Sequence, residues 1–149
     1  MTIRRVAVWL ALAALAAMAA YVRLAPVVPD RWHIDLGPLA RDLGDQPEQE
    51  MRLGRNSASI RIEGDPSQLA AQLARLDEIA LGTARTRRIA GDPGNGWVTW
   101  ETRSLIFGFP DYTTAQIVEG NLVLFARSRF GRGDRGVNAA RLKDWLSQL

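Results

Sequence analysis

The chain opens on an unbroken apolar run. Val6 to Val22 is 17 residues without a charge, with Arg4 and Arg5 before it and Arg23 after it. A helix of that length measures about 26 Å at 1.5 Å per residue, just short of a hydrocarbon core of about 30 Å. Leu24 and Ala25 lengthen the span if Arg23 snorkels. The pattern then turns irregular. Four of the seven prolines (Pro26, Pro29, Pro38 and Pro47) fall among Asp and Gly before residue 52, and no period survives there. Residues 26–52 therefore read as a Pro-rich tether with an irregular lead-in to one domain over 53–149.

In that domain the period switches several times. Ser57–Glu63 alternates around Ile60 and Ile62 and predicts a strand. Asp65 and Pro66 are a helix cap and first helical residue, and Leu69, Leu73, Leu76 and Ile79 or Ala80 continue as a helical stripe to Gly82. Thr83–Ala90 predicts a second strand, and the Gly91–Gly96 cluster a turn. Trp97–Phe107 alternates, with Trp97, Thr99, Glu101 and Arg103 on one face and Val98, Trp100, Thr102 and Ser104 on the other. Tyr112–Glu119 and Leu122–Phe130 predict a hairpin through Gly120-Asn121, a two-residue turn of the II′ type. Leu142, Trp145, Leu146 and Leu149 mark a last helix. The order β-α-β-β-β-β-α predicts an α+β fold: a curved antiparallel sheet of about five strands with two helices on one face, behind an N-terminal hydrophobic helix. In topology alone this is similar to the TATA-box-binding-protein-like and helix-grip folds, whose concave sheets often hold ligands.

Charge changes the picture at the N-terminus. Of the net charge of +3, all arises from Arg4, Arg5 and Arg23, and the remaining 16 basic residues are balanced by 16 acids. A neutral body argues against a nucleic-acid partner. The leading arginines favour a cytoplasmic N-terminus. Residues 1–25 then act as a signal anchor, with residues 6–22 in a bacterial inner membrane and the body in the periplasm. Alternatively they are a signal peptide cut near Ala19 or Ala20, after the small residues flanking Met18. The absence of cysteine excludes disulfides, thiolate nucleophiles and a lipidated cysteine, and one histidine leaves no zinc site. No metal or cofactor is expected.

Two groups of residues carry candidate chemistry. His33 lies in Trp32-His33-Ile34-Asp35, and a general base there has only Asp35 nearby to orient it. The densest polar cluster runs from Arg127 to Arg141, where a strand ends, a Gly-rich turn follows and a helix begins. Arg127, Arg129, Arg132, Asp134, Asn138 and Arg141 there form a candidate site for a small or anionic ligand, using arginine forks and the helix N-terminus. The competing reading is structural: Asp134 or Asn138 caps the helix, and Arg129 or Arg141 pairs with Asp134.

Ser128, Arg129, Gly131, Asp134, Gly136, Asn138 and Arg141 also match, residue by residue, the pattern S-R-x-G-x-x-D-x-G-x-N-x-x-R. In this the chain resembles the family known as domain of unknown function 1499. Gly108-Phe109-Pro110-Asp111 is similar to that family's G-F-x-D-D strand start, with Pro110 in place of the first acid. The likeness covers about residues 57–149. The chain departs from the family in lacking its cysteine-containing N-terminal part and in carrying Arg127 within its serine pair. The resemblance implies a domain and brings no activity with it.

Two function classes follow. One is a non-catalytic ligand-binding or scaffolding module, with an aromatic groove of Trp97, Trp100, Tyr112 and Phe125. The other is a hydrolase-like enzyme built on Asp111, Asp134 and His33. No acid, base and nucleophile set is visible in the sequence, which favours the module.

Overall fold

A computed structural model describes residues 3–44, 46–47 and 49–149. The elements run α1 (Ile3–Leu24), α2 (Pro29–Trp32), α3 (Gly37–Asp42), β1 (Arg52–Leu53), β2 (Ser57–Glu63), α4 (Pro66–Gly82), β3 (Thr86–Asp92), β4 (Trp97–Arg103), β5 (Pro110–Val118), β6 (Asn121–Ser128) and α5 (Val137–Leu146). The strands form one antiparallel sheet in the order β1-β2-β6-β5-β4-β3. The expected α+β architecture is present, with the two-residue β1 as a sixth strand.

Helix α4 starts where its cap chemistry lies: Pro66 holds the first position, and Gln68 Oε1 accepts the Asp65 backbone N–H at 3.3 Å. Its stripe of Leu69, Leu73, Leu76 and Ile79 packs with Leu142 and Trp145 of α5 on the face made by Ile60, Ile62, Leu122, Leu124, Val98 and Trp100. Trp100 and Trp145 meet edge-on at 5.6 Å. Leu73 and Leu76 are fully enclosed, so truncating either to Ala costs about 2–5 kcal/mol. One acid interrupts the stripe. Asp77 is buried, and it accepts the Trp100 indole N–H at 2.8 Å and Arg88 Nε at 3.1 Å.

The other face of the sheet is covered too. The expected tether instead carries α2 and α3, and these lie against the sheet. Leu36, Ala40 and Leu43 close over Val123, with Phe125 and Val118 alongside. Trp32 stacks on Tyr112 at 4.1 Å and His33 on Trp97 at 3.8 Å. The expected aromatic groove is therefore not open: its Trp97, Tyr112 and Phe125 are met by this strap, while Trp100 points into the opposite core. Several strand boundaries also shift. β3 runs to Asp92, and β4 stops at Arg103, leaving residues 104–109 as a loop. The β5–β6 turn is Glu119-Gly120, with φ of 52° and 75°, because Val118 pairs with Asn121. Both turn residues are left-handed, which is the I′ pattern and not II′.

Helix α1 stands apart from this packing. Of its residues only Val22 is buried, and its most apolar 18-residue window has a mean hydropathy of 1.9.

Candidate functional site at the C-terminal turn

The turn after β6 is tied together by hydrogen bonds among its own residues. Gly136, left-handed at φ 80°, ends the turn and lets α5 begin. The Asp134 carboxylate accepts the backbone N–H of Gly136 and of Asn138, both at 3.0 Å, and Asn138 Nδ2 at 2.8 Å. Burial raises the carboxyl pKa of Asp134, but those backbone N–H groups and the Asn138 amide together hold it below its ordinary value. Asn138 is fully buried. Its Nδ2 also donates to Asn56 O at 3.1 Å and Ser128 Oγ at 3.0 Å, and its Oδ1 accepts Arg141 Nη1 at 2.8 Å. Arg141 Nη2 then reaches Asp111 Oδ2 at 2.8 Å, with both side chains nearly enclosed.

The expected pairing of Arg129 or Arg141 with Asp134 is not what forms. Arg141 takes Asp111 as its partner, from the start of β5, and Arg129 donates to Pro26 O at 3.1 Å over the Phe130 ring. Arg127 lies on the strap face, away from the turn. Its guanidinium donates to Thr114 Oγ1 at 3.2 Å and to Trp32 O, between the rings of Trp32 and Phe125. Burial lowers its pKa to about 10. Arg132 is exposed. The six candidate ligand residues thus divide: Asp134, Asn138 and Arg141 share one network, and the other three point elsewhere. At the N-terminus of α5 the position an anion would take is held by the Asp134 carboxylate.

A family model described as a protein of unknown function (DUF1499) matches residues 41–149. The chain belongs to the DUF1499 family. No curated protein is significantly similar to it. A solved DUF4468 family protein from Bacteroides ovatus ATCC 8483 aligns over 73% of this chain and 68% of its own, at 10% identity and a TM-score of 0.35, too loosely to bear on function. In this DUF1499 chain the residues of the catalytic alternative do not meet. Asp111 and Asp134 are linked through Arg141 and Asn138 on the helix side of the sheet. His33 is on the strap side, with Nδ1 2.9 Å from Thr99 Oγ1. Burial lowers the His33 pKa. Among the described residues, no three His, Asp or Glu side chains are grouped to hold a metal.

Two clefts went unforeseen in the sequence. One, of about 690 Å³, opens beside β2 and α5, with Met51, Ile60, Ile62, Gln72, Lys143 and Leu146 in its wall. Gln72 Oε1 is buried there without a hydrogen-bond partner among the described residues. The other, of about 500 Å³, lies between β3, the β4–β5 loop and the end of α1, and is lined by Arg23, Arg85, Arg87, Arg103 and Glu101. Glu101 is enclosed and paired with Arg87 at 2.7 Å and Arg103 at 2.8 Å. The alternation of β4 put Glu101 and Arg103 on one face; only the fold brings Arg23 to them.

Proposed function

We propose that the protein is a non-catalytic binding module, anchored by α1 in a bacterial inner membrane with its body in the periplasm. The anchor is supported by the exposure of α1, whose apolar sides the body leaves almost wholly uncovered. A soluble helix of that composition would be expected to lie inside a core. The binding role rests on one contrast. The polar residues of the C-terminal turn are engaged with one another, and we assign them a bracing role. The cleft beside β2 is open, mostly apolar, and carries Glu50 and Lys143 in its wall. That chemistry suits an amphipathic small molecule with a polar or anionic end.

Native mass spectrometry of the full chain extracted from membranes tests this. A bound amphiphile is expected on the wild type and on Arg132→Ala, and is expected to be lost from Met51→Trp, which narrows the cleft. A ligand-free wild type would reject the binding role. A periplasmic reporter fused after Leu149 is expected to be active and a cytoplasmic one silent; the reverse would reject the topology. A second reading has its own support: the ring contact and hydrogen bonds that tie α1 to the body involve Tyr21, Val22 and Arg23, with Tyr21 meeting Phe130 at 6.4 Å. A signal peptide cut after Ala20 would leave them intact, and the mass of the mature N-terminus decides between the two.

A further inference from the structure

We propose that the β4–β5 loop, residues 104–109, is a second membrane contact, its apolar tip among the acyl chains and the arginine-lined cleft beside it on phospholipid phosphates. This rests on reading α1 as an anchor. The loop exposes Leu105 (70%), Ile106 (72%) and Phe107 (55%) in succession, followed by Phe109. Three adjacent large apolar side chains at that exposure are unusual on a surface facing water. Ser104 holds the loop closed: its carbonyl accepts the Gly108 N–H at 3.2 Å, and its hydroxyl accepts the Phe109 N–H at 2.9 Å.

The position of the loop names its partner. Phe107 and Phe109 form one wall of an apolar groove whose other wall is Leu15, Met18, Ala19 and Val22 of α1. Those helix residues span seven steps of the helix, or about 10 Å of axis. If α1 crosses the bilayer, the loop shares its last turns, at the depth of about 5–10 Å typical of interfacial apolar faces. The loop is also fastened at that level. Arg23 Nη2 donates to Ile106 O at 3.0 Å, and Arg103 Nη1 donates to Arg23 O at 3.1 Å and to Gly108 O at 3.2 Å. A side chain at Gly108, where φ is 70°, would come within 3.0 Å of Arg23 Cγ. Tyr21, Phe130, Phe109 and Phe107 follow one another at ring distances of 5.6–6.4 Å, an aromatic series of the kind found at the headgroup level. Next to them the cleft of Arg23, Arg85, Arg87 and Arg103 holds one acid, Glu101, and so keeps a cationic surplus at the level where lipid phosphates would lie.

The absence of native cysteine makes the test clean. Nitroxide labels are placed singly at Ile106→Cys and Leu12→Cys in the full chain, reconstituted in vesicles of phosphatidylethanolamine and phosphatidylglycerol. Collision with oxygen and with a water-soluble nickel chelate is then read. Both labels are expected to be open to oxygen and protected from the chelate. A label at Ile106 open to the chelate, with the Leu12 label in lipid, would overturn the loop contact and leave the anchor standing. Protection of Ile106 from both reagents would mean a protein partner, such as a second copy, and would also overturn it. A Leu12 label open to the chelate would overturn the anchor reading and the loop contact together. Replacing the lipid by phosphatidylcholine alone is expected to make the Ile106 label shallower; no change would remove the arginine cleft from the proposal.

Discussion

Removing the Arg141 guanidinium should unfold much of what the C-terminal turn holds together. Arg141→Met keeps most of the apolar stem but leaves Asp111 Oδ2 and Asn138 Oδ1 without the donors they now have. Asp111 is 11% exposed and has no other side-chain partner among the described residues, so it becomes a nearly enclosed carboxylate without compensation. Such a loss costs about 3–5 kcal/mol, a large share of the roughly 5–15 kcal/mol that holds a domain folded. The paired change Asp111→Leu with Arg141→Met removes both charges, and is expected within about 2 kcal/mol of wild type. Asp111→Leu alone leaves the nearly enclosed Arg141 charge without its acid, so the double-mutant cycle should give a coupling of at least about 2 kcal/mol. Urea unfolding of the detergent-solubilised chain, followed by tryptophan fluorescence, reads this through Trp100 and Trp145. If Arg141→Met costs less than about 1 kcal/mol and the cycle shows no coupling, the pair is solvated. The bracing role would then be wrong and the turn would be free to serve a ligand.

Two further outcomes depend on pH. Asp134→Ala removes the cap of α5 for about 1–2 kcal/mol, and not more, because Asn138 Nδ2 keeps Asn56 O and Ser128 Oγ. Since the Asp134 carboxyl is held below its ordinary 3.8, its contribution is whole above that value and lost as pH falls through the lower folded one. Melting temperatures of wild type and Asp134→Ala should therefore converge in acid, and a constant gap would refute the cap. His33 is half-buried, and that burial holds its pKa below 6.5, so protonation favours the unfolded chain. Stability should fall as pH drops below about 6.5. His33→Gln should lack that part of the slope, and an unchanged melting profile for the variant would count against it.

The elements legible in the sequence were those whose residues report on near neighbours. The leucines of α4 repeat at the helical period behind a cap, and β4 alternates over its whole length, so both could be read directly. The strap could not. Helices α2 and α3 have four and six residues, too few for a period to declare itself. What fixes them is contact with residues far along the chain: Trp32 with Tyr112, and the Leu36 N–H with Gln116 Oε1 at 2.6 Å. The turn at Glu119-Gly120 was misplaced by one residue because Glu119, a non-glycine residue, takes the left-handed conformation. In the candidate site, nearness in sequence suggested Asp134 as the partner of Arg141. The register Asp111↔Ser128 instead brings an acid from β5 beside α5, a pairing that becomes visible only once the strands are aligned.

Fifteen of the 16 basic residues of the body are arginine, and this bias acquires a physical reason along the same path. Three arginines near the ends of β4 and β6 grip successive carbonyls of the segment that leaves α1. Arg103 holds Val22 O and Arg23 O, Arg129 holds Pro26 O, and Arg127 holds Trp32 O. A carbonyl at a helix end or in a Pro-rich stretch has no backbone N–H to satisfy it, and a guanidinium can satisfy several from one planar fork. A lysine there would offer a point charge on a mobile stem, with fewer donors fixed in direction. The segment therefore leaves α1 clamped along the sheet. On the proposed reading of α1 as an anchor, the clamp sets how the body faces the bilayer, which is what a loop with an apolar tip beside the last turns of α1 requires.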